Sequence, residues 1–388
     1  MLHTLAIGAA TLAGAGMVQA ALGAGLVRRF TRQPSAAQAA TAVTLLKPLH
    51  GAEPLLAEAL ESCFRINHPC FQLVFGVQDP RDPAIGVVQA LRARFPAVDV
   101  ALVIDPTPHG INRKVANLIN MLPAARHDTL VIADSDIHVM PDYLDSLLAA
   151  LAQPGTGLVT TLYAGLPSTP GIVGQMGTAY IDQVFLPGAL LARAMGRQDC
   201  LGATMALTRH TLRRIGGFEA LSDHLADDAV LGHLVAATGQ RVALATTIPA
   251  TTVPERALPR LFEHELRWAR TIRHLEPVGF VLSVVQYPLF WAALALAASG
   301  GAPWACAVFA ACWVGRWAVG AMLGRALRRA TPARALASRV PFWLLPLRDI
   351  MSITVILASY RTSRVSWRGQ VLRATPPRLA VDRALAGD

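Results

Sequence analysis

The stretch LVIADSDIHV (residues 130–139) runs through four apolar residues and then sets Asp134 and Asp136 two apart, with only Ser135 between them. Two carboxylates that close repel each other unless something positive lies between. The pair reads in two ways. It is either a solvated turn that also caps a helix near residues 141–152, a place aspartate favours, or a hard-oxygen site for Mg²⁺ or Mn²⁺. Such a cation would hold a diphosphate and stabilise its charge as it leaves. A lone Asp-x-Asp arises often by chance, so other residues must decide. Asp227 and Asp228 are adjacent. On a helix, neighbours point about 100° apart and cannot do one job together. Alone, the pair reads as helix-start capping. In a transfer site, one carboxylate would be the base that takes a proton from an alcohol and the other would cap or support it. Arg267 can grip a phosphate through two parallel hydrogen bonds, and Lys114 can supply a point charge.

The segments that must position these groups alternate in type. Residues 42–47 (AVTLLK), 71–78 (FQLVFGVQ), 98–104 (VDVALVI) and 129–133 (TLVIA) are short apolar runs, with helix-like stretches at 53–63, 83–94 and 112–122 between them. Continuous apolar strands separated by helices indicate a mostly parallel sheet buried on both faces. Ligands bind beyond the carboxyl ends of such strands. Asp79, Asp134 and Asp136 each sit just past one.

The composition adds a membrane. The 388 residues are 53% hydrophobic and 15% charged with a net charge of +10, and the mean hydropathy is +0.41. A soluble domain carries nearer a quarter charged residues. The positive balance fits arginines at a cytoplasmic membrane face. With aromatics at only 6% and no zinc-finger spacing, nucleic acid is not an expected partner. Residues 2–27 hold no charged group and exceed the ~20 apolar residues a span needs. A signal peptide is the other reading, but the segment lacks a basic start and runs into Arg28, Arg29 and Arg32. That flank belongs in the cytoplasm, with the N-terminus outside. Residues 278–300 and 304–323 are also long enough to cross. The segment 340–360 carries Pro346, Arg348 and Asp349 near its centre. These charges should neutralise each other or face protein, and the segment reads as re-entrant. The expected domains are therefore an N-terminal transmembrane helix (1–27), a cytoplasmic α/β domain (28–277), transmembrane or re-entrant helices (278–360) and a basic cytoplasmic tail (361–388).

The segments GVQDPRDPAI (76–85), INRKVANL (111–118), ADSDIHVMPDYL (133–144), HLADDAVLG (224–232) and HELRWAR (264–270) follow one another in that order. Over residues 42–273 this series resembles the membrane glycosyltransferases of the ceramide glucosyltransferase-like family, which have a GT-A nucleotide-sugar fold. LKPLHGAEP (46–54) and SWRG (366–369) are similar to its bacterial hopanoid-biosynthesis branch. The resemblance implies an inverting enzyme of the bacterial inner membrane. It would move N-acetylglucosamine from a UDP-sugar to the hydroxyl of a bacteriohopanetetrol-type lipid, with the catalytic domain facing the cytoplasm. It implies that Asp79 binds the uracil end, with Pro48 and Glu53 near the same pocket. Asp134 and Asp136 would be the metal and diphosphate motif, Asp228 the base, and Arg267 and Trp268 the closing Arg-Trp pair. His264 stands where that motif has Gln or Arg.

Other residues carry balanced readings. Cys63, Cys70, Cys200, Cys306 and Cys312 show no metal spacing. Cys200 either lines the acceptor pocket or packs in a core. His224, beside Asp227, either touches substrate or sits at the surface. Residues 174–197, apolar around Pro187, read as an interfacial helix pair at the acceptor's entrance or as ordinary core. Three functions remain open. The chain transfers a sugar to a lipid alcohol (a hopanoid or, alternatively, ceramide), extends and exports a polysaccharide, or is a scaffold that keeps the fold. The few spans disfavour export and the intact acid set disfavours a scaffold.

Overall fold

The structure is a computed structural model that describes residues 1–34, 40–328, 330–332 and 340–362, and the backbone of 364–367 and 370–373. Arg329, Ser363, the last two residues of SWRG and the tail from 374 onward lie outside the described residues.

The strands before residue 254 are, in order, β1 (Val43–Pro48), β2 (Phe71–Val77), β3 (Asp99–Ile104), β4 (Thr129–Ala133), β5 (Ile137–His138), β6 (Thr156–Thr160), β7 (Ala164–Pro167), β8 (Thr204–Thr208), β9 (Arg241–Leu244) and β10 (Ala250–Val253). Seven of them form one sheet in the order β3-β2-β1-β4-β8-β6-β9. The first four are parallel, as their unbroken apolar runs require. The departure from an all-parallel sheet is β8, antiparallel to both β4 and β6. Its amino end therefore lies at the edge where the parallel strands end. A small second sheet, β5-β10-β7, closes over that edge.

Helices α1 (Leu2–Phe30), α2 (Leu56–Phe64), α3 (Ala84–Arg94), α4 (Arg113–Met121), α5 (Tyr143–Leu151), α6 (Ile172–Tyr180), α7 (Leu186–Ala194), α8 (Arg209–Arg214) and α9 (Asp227–Ala237) precede α10 (Leu258–Leu275). Two apolar cores flank the sheet. One joins Leu60, Phe64, Val88 and Leu147 to the strands, and the other joins Leu118, Met121, Leu212 and Leu231.

The apolar half follows as α11 (Pro277–Leu282), α12 (Pro288–Ala298), α13 (Pro303–Leu327) and α14 (Leu344–Ser359). Helices α1 and α13 are long and apolar enough to cross a membrane, and the pair around Tyr287, bent by 65°, makes a third span if it is counted as one. The segment 174–197 is a run of α6, a π-helical turn (Ile181–Phe185) and α7. Pro187 follows directly on the π-helical turn as the second residue of α7, where the regular i→i−4 ladder is already interrupted. A Cβ on Gly23 of α1 would come within 2.8 Å of Pro187, so glycine lets the two helices touch. Helix α7 shares one core with α1, α13 and β7, and this core joins the sheet domain to the apolar helices.

Candidate functional site

The strand directions gather the acids. Asp134 leaves the end of β4, and its N–H donates to the carbonyl of Ala203, just before β8. On the far side of β8, β6 runs parallel to β4 and delivers Tyr163 to the same edge.

The turn carrying Asp134 and Asp136 is held from beneath. Lys47, fully buried near the end of β1, donates from Nζ to the carbonyl oxygens of Asp134 (2.6 Å), Ser135 (3.2 Å) and Ile137 (3.1 Å). Its charge satisfies main-chain acceptors that the tight turn leaves unpaired. Thr251 of β10 donates to Asp136 Oδ2 at 2.6 Å. Burial and the neighbouring Asp134 still push the Asp136 carboxyl up to about 6. Ser135 donates a short hydrogen bond to Glu53, which brings Glu53 to this turn.

The positive group beside Asp134 is Lys114. Asn112 caps α4 by accepting from the N–H groups of Lys114 (3.0 Å) and Val115 (3.2 Å). The Lys114 ammonium then reaches Asp134 Oδ1 at 2.7 Å and Asp227 Oδ2 at 3.4 Å. Burial alone would lower its proton affinity, but Asp134 and Asp227 outweigh that and raise it above the ordinary lysine value. Asn112 Nδ2 also donates to the carbonyl of His224 at 2.8 Å, so His224 joins through its main chain. Asp227 supports the cation, and neither aspartate is the side-chain cap of α9.

Asp228 takes the adjacent position. Its Oδ1 accepts from the N–H of Ala229 at 2.8 Å. A Cβ on Gly202 would sit 2.8 Å from Oδ2, so the glycine of LGATMAL admits the carboxylate against the backbone. Burial, then Asp227, pushes the Asp228 carboxyl up to about 6. A base with that proton affinity is ionised at neutral pH yet still accepts a proton. Cys200 is buried against Gly232 of α9, and burial with Asp228 nearby raises its thiol well above the ordinary value. It packs, and stays protonated. The Tyr163 phenol is likewise raised, by burial first and then by Asp228, Asp134 and Asp136, and its ring stacks on Phe185 at 4.6 Å.

Pro48 closes β1. Asp79 lies beyond β2, exposed, and accepts from the N–H of Arg81 at 2.8 Å, which holds its carboxyl below the usual range. The HELRWAR segment (264–270) forms another group of contacts on α10. His264 bonds Glu255 and meets Trp268 edge-on at 4.4 Å, while Trp268 stacks on Tyr180 at 6.1 Å. Arg267 lies on the same helix, partly exposed.

Among the described residues, no three His, Cys, Asp or Glu side chains gather as a self-contained metal cage. A cation of the magnesium type takes one or two carboxylates and completes its shell with substrate phosphates and water. Asp134 and Asp136 offer hard oxygens, and Asp136 is left short of compensating charge.

A mixed α/β sheet with acids gathered at its strand ends, joined to apolar helices, has the GT-A-like glycosyltransferase fold. The chain belongs to glycosyl transferase family 21, whose model matches residues 8–380. It is similar to ceramide glucosyltransferase 1 of Caenorhabditis elegans, 26% identical over 251 residues covering 63% of this chain and 52% of that protein. It is also similar to the ceramide glucosyltransferase of Komagataella phaffii, 31% identical over 160 residues, 37% of this chain and 31% of that one. The chain thus spans about half the length, or less, of these relatives. In fold it resembles the mannosyltransferase PcManGT of Pyrobaculum calidifontis, solved with GDP-Man and Mn²⁺. The TM-score is 0.51 and the identity 20%, over 93% of this chain and 99% of that one.

Proposed function

We propose that this enzyme transfers a hexose from a UDP-sugar to the hydroxyl of a ceramide-type membrane lipid, with inversion at the sugar carbon. The observation that carries the reading is the raised carboxyl of Asp228 beside the Lys114–Asp134–Asp227 cluster. Asp228 takes the proton of the acceptor hydroxyl. The freed oxygen bonds to C1 of the sugar as the C1–O bond to the diphosphate breaks, and UDP leaves. Asp134 and Asp136 would hold Mg²⁺ or Mn²⁺, which supplies positive charge for the leaving diphosphate. Arg267 and Trp268 close over the donor, Asp79 and Pro48 receive the uracil end, and Glu53 steadies the Asp134–Asp136 turn through Ser135.

The acceptor is read as a lipid because apolar helices tether the site at a bilayer. The relatives' names favour the sphingolipid branch over the hopanoid acceptor and N-acetylglucosamine donor that LKPLHGAEP and SWRG imply. The protein would be a multi-pass component of a bacterial inner membrane with the sheet domain in the cytoplasm. Purified membranes incubated with UDP-glucose or UDP-N-acetylglucosamine, and with ceramide or a polyhydroxylated hopanoid, test the reading by mass spectrometry of extracted lipid. Glucosylceramide is the expected product. An N-acetylglucosaminyl hopanoid formed instead moves the enzyme to the other branch, and a lengthening polysaccharide rejects lipid transfer.

A further inference from the structure

We infer that Arg348, on the apolar helix α14, is a positioning residue for glycosyl transfer. Through Glu265 and Tyr180 it fixes the place of Trp268, and with it the Arg267–Trp268 pair on α10. The inference rests on the role proposed above for that pair.

Helix α14 has 16 residues, about 24 Å at 1.5 Å per residue. That is short of a hydrocarbon core of about 30 Å. It nonetheless buries two adjacent charges, Arg348 at 1% exposure and Asp349 at 0%. Adjacent charges in an apolar segment should neutralise each other or face protein, and here each faces protein with a separate hydrogen-bonded partner. They point to different neighbours, as residues about 100° apart on a helix can. Asp349 faces α13 and α12, where it meets Arg316 at 3.4 Å and accepts from the N–H of Leu289 at 3.1 Å. Arg348 faces α10. Its Nη1 donates to Glu265 Oε1 at 2.7 Å, and its Nη2 donates to Oε2 at 2.6 Å and to Ser352 Oγ at 2.8 Å.

This two-point bond fixes orientation as well as distance, which a lysine cannot do. On α10 the buried stripe is Leu261, Glu265 and Ala269, so the carboxylate interrupts an otherwise apolar seam. Burying such a pair costs desolvation, and an apolar pair of similar size is often as stable or more so. Stability alone therefore does not account for it; register does. Trp268 lies one turn beyond Glu265. Its ring stacks on Tyr180 at 6.1 Å, and the Arg348 guanidinium lies 5.4 Å from the centre of that same Tyr180 ring. One side chain of the apolar half thus touches both supports of Trp268, the helix beneath it and the ring beside it.

The test uses the full-length enzyme in lipid nanodiscs, with kcat and KM measured separately for donor and acceptor. Arg348→Lys and Glu265→Gln keep polar partners and volume, and the paired Arg348→Met/Glu265→Gln variant removes the charge without leaving one unmatched. Trp268→Ala and Arg267→Ala are the references. We expect Arg348→Lys and Glu265→Gln to lower donor kcat/KM as Trp268→Ala does, on the order of 10²-fold for a misplaced group. The acceptor KM should stay near the parent value. Glu265→Gln, which leaves the Arg348 charge buried without its partner, should lower the thermal transition, while Arg348→Lys and the paired variant should hold it near the parent value. The paired variant should fold and share the defect. Folded Arg348→Lys and Glu265→Gln proteins with parental kinetics, beside an impaired Trp268→Ala, would overturn the inference and leave the pair's role standing. Parental kinetics in Trp268→Ala and Arg267→Ala would remove the pair's role itself, and nothing would remain for Arg348 to position.

Discussion

Lys114 places one ammonium 2.7 Å from Asp134 and 3.4 Å from Asp227, joining the Asp-x-Asp turn to the start of α9. It answers the question those paired acids raise, since the chain supplies one positive partner itself. It also helps hold down the proton affinity of Asp228. Lys114→Met should therefore raise the Asp228 carboxyl above about 6 and move the acid limb of kcat/KM to higher pH. The variant should lose more activity at pH 6.5 than at pH 8. An unchanged limb in the variant's pH–rate profile would mean that Asp228 does not feel this cation.

In the parent enzyme Asp136 and Asp228 both sit at about 6. Each must be ionised, one to face a cation and the other to take a proton. Activity should be level above pH 7 and fall as pH drops through about 6. Stability runs the other way. A carboxyl that holds its proton more tightly folded than unfolded favours the fold as pH falls from 6 toward the ordinary carboxylate range. A thermal transition and a rate profile that move in opposite directions over this window are the expected result. If both fall together, other groups dominate.

Asp228→Asn keeps shape and removes the base. Transfer should drop by about 10²- to 10⁴-fold, while UDP binding, followed by calorimetry, stays close to the parent value. A parallel collapse of UDP affinity would make Asp228 a donor ligand. Removal of divalent cations by EDTA should stop turnover, and Mn²⁺ should restore it. Full turnover in metal-free buffer would sink the metal reading.

The parts legible in the sequence were those with a strong period or a clear break. Strands β1 to β4 and helices α2 to α5 lie within three residues of the apolar runs that announce them. The acids past β2 and β4 stand where parallel strands require. Less legible was whatever depends on pairing between distant segments. Nothing local marks β8 as antiparallel, and that reversal brings Gly202 to Asp228. Tyr163 gave no signal, because only the direction of β6 places it at this edge. Lys47 had one, a charge in a run otherwise apolar, but its three carbonyl partners exist only once the Asp134 turn has folded. For Arg348 and Asp349 the sequence left two outcomes open, mutual neutralisation or facing protein, because it shows adjacency and hides which neighbours the helix turns each side chain toward.

Lys47→Met should remove three hydrogen bonds beneath the Asp134–Asp136 turn. Each buried carbonyl left unsatisfied costs about 1–3 kcal/mol, so the melting temperature should fall measurably. Mn²⁺ binding, read by its electron paramagnetic resonance in the presence of UDP, should weaken even in protein that remains folded. A lowered transition with unchanged Mn²⁺ binding would reduce Lys47 to a packing residue.

The orientation proposed for the apolar helices has a direct test. Arg28 and Arg29 close α1, and Arg325 and Arg328 stand at the end of α13. Both ends belong on the cytoplasmic side if positive charge stays inside. With the sheet domain between them on that side, the bent pair α11–α12 must lead outward and α13 must return. The turn between them, where Gly300 and Gly301 take positive φ angles of 66° and 82°, is then the outer loop. In a background with its own cysteines replaced, Ser299→Cys should react with a membrane-impermeant maleimide on intact spheroplasts. Gln33→Cys should react only after permeabilisation. Labelling of Gln33→Cys from outside, with Ser299→Cys protected, would invert the topology and put the acid cluster on the side away from the cell's UDP-sugars.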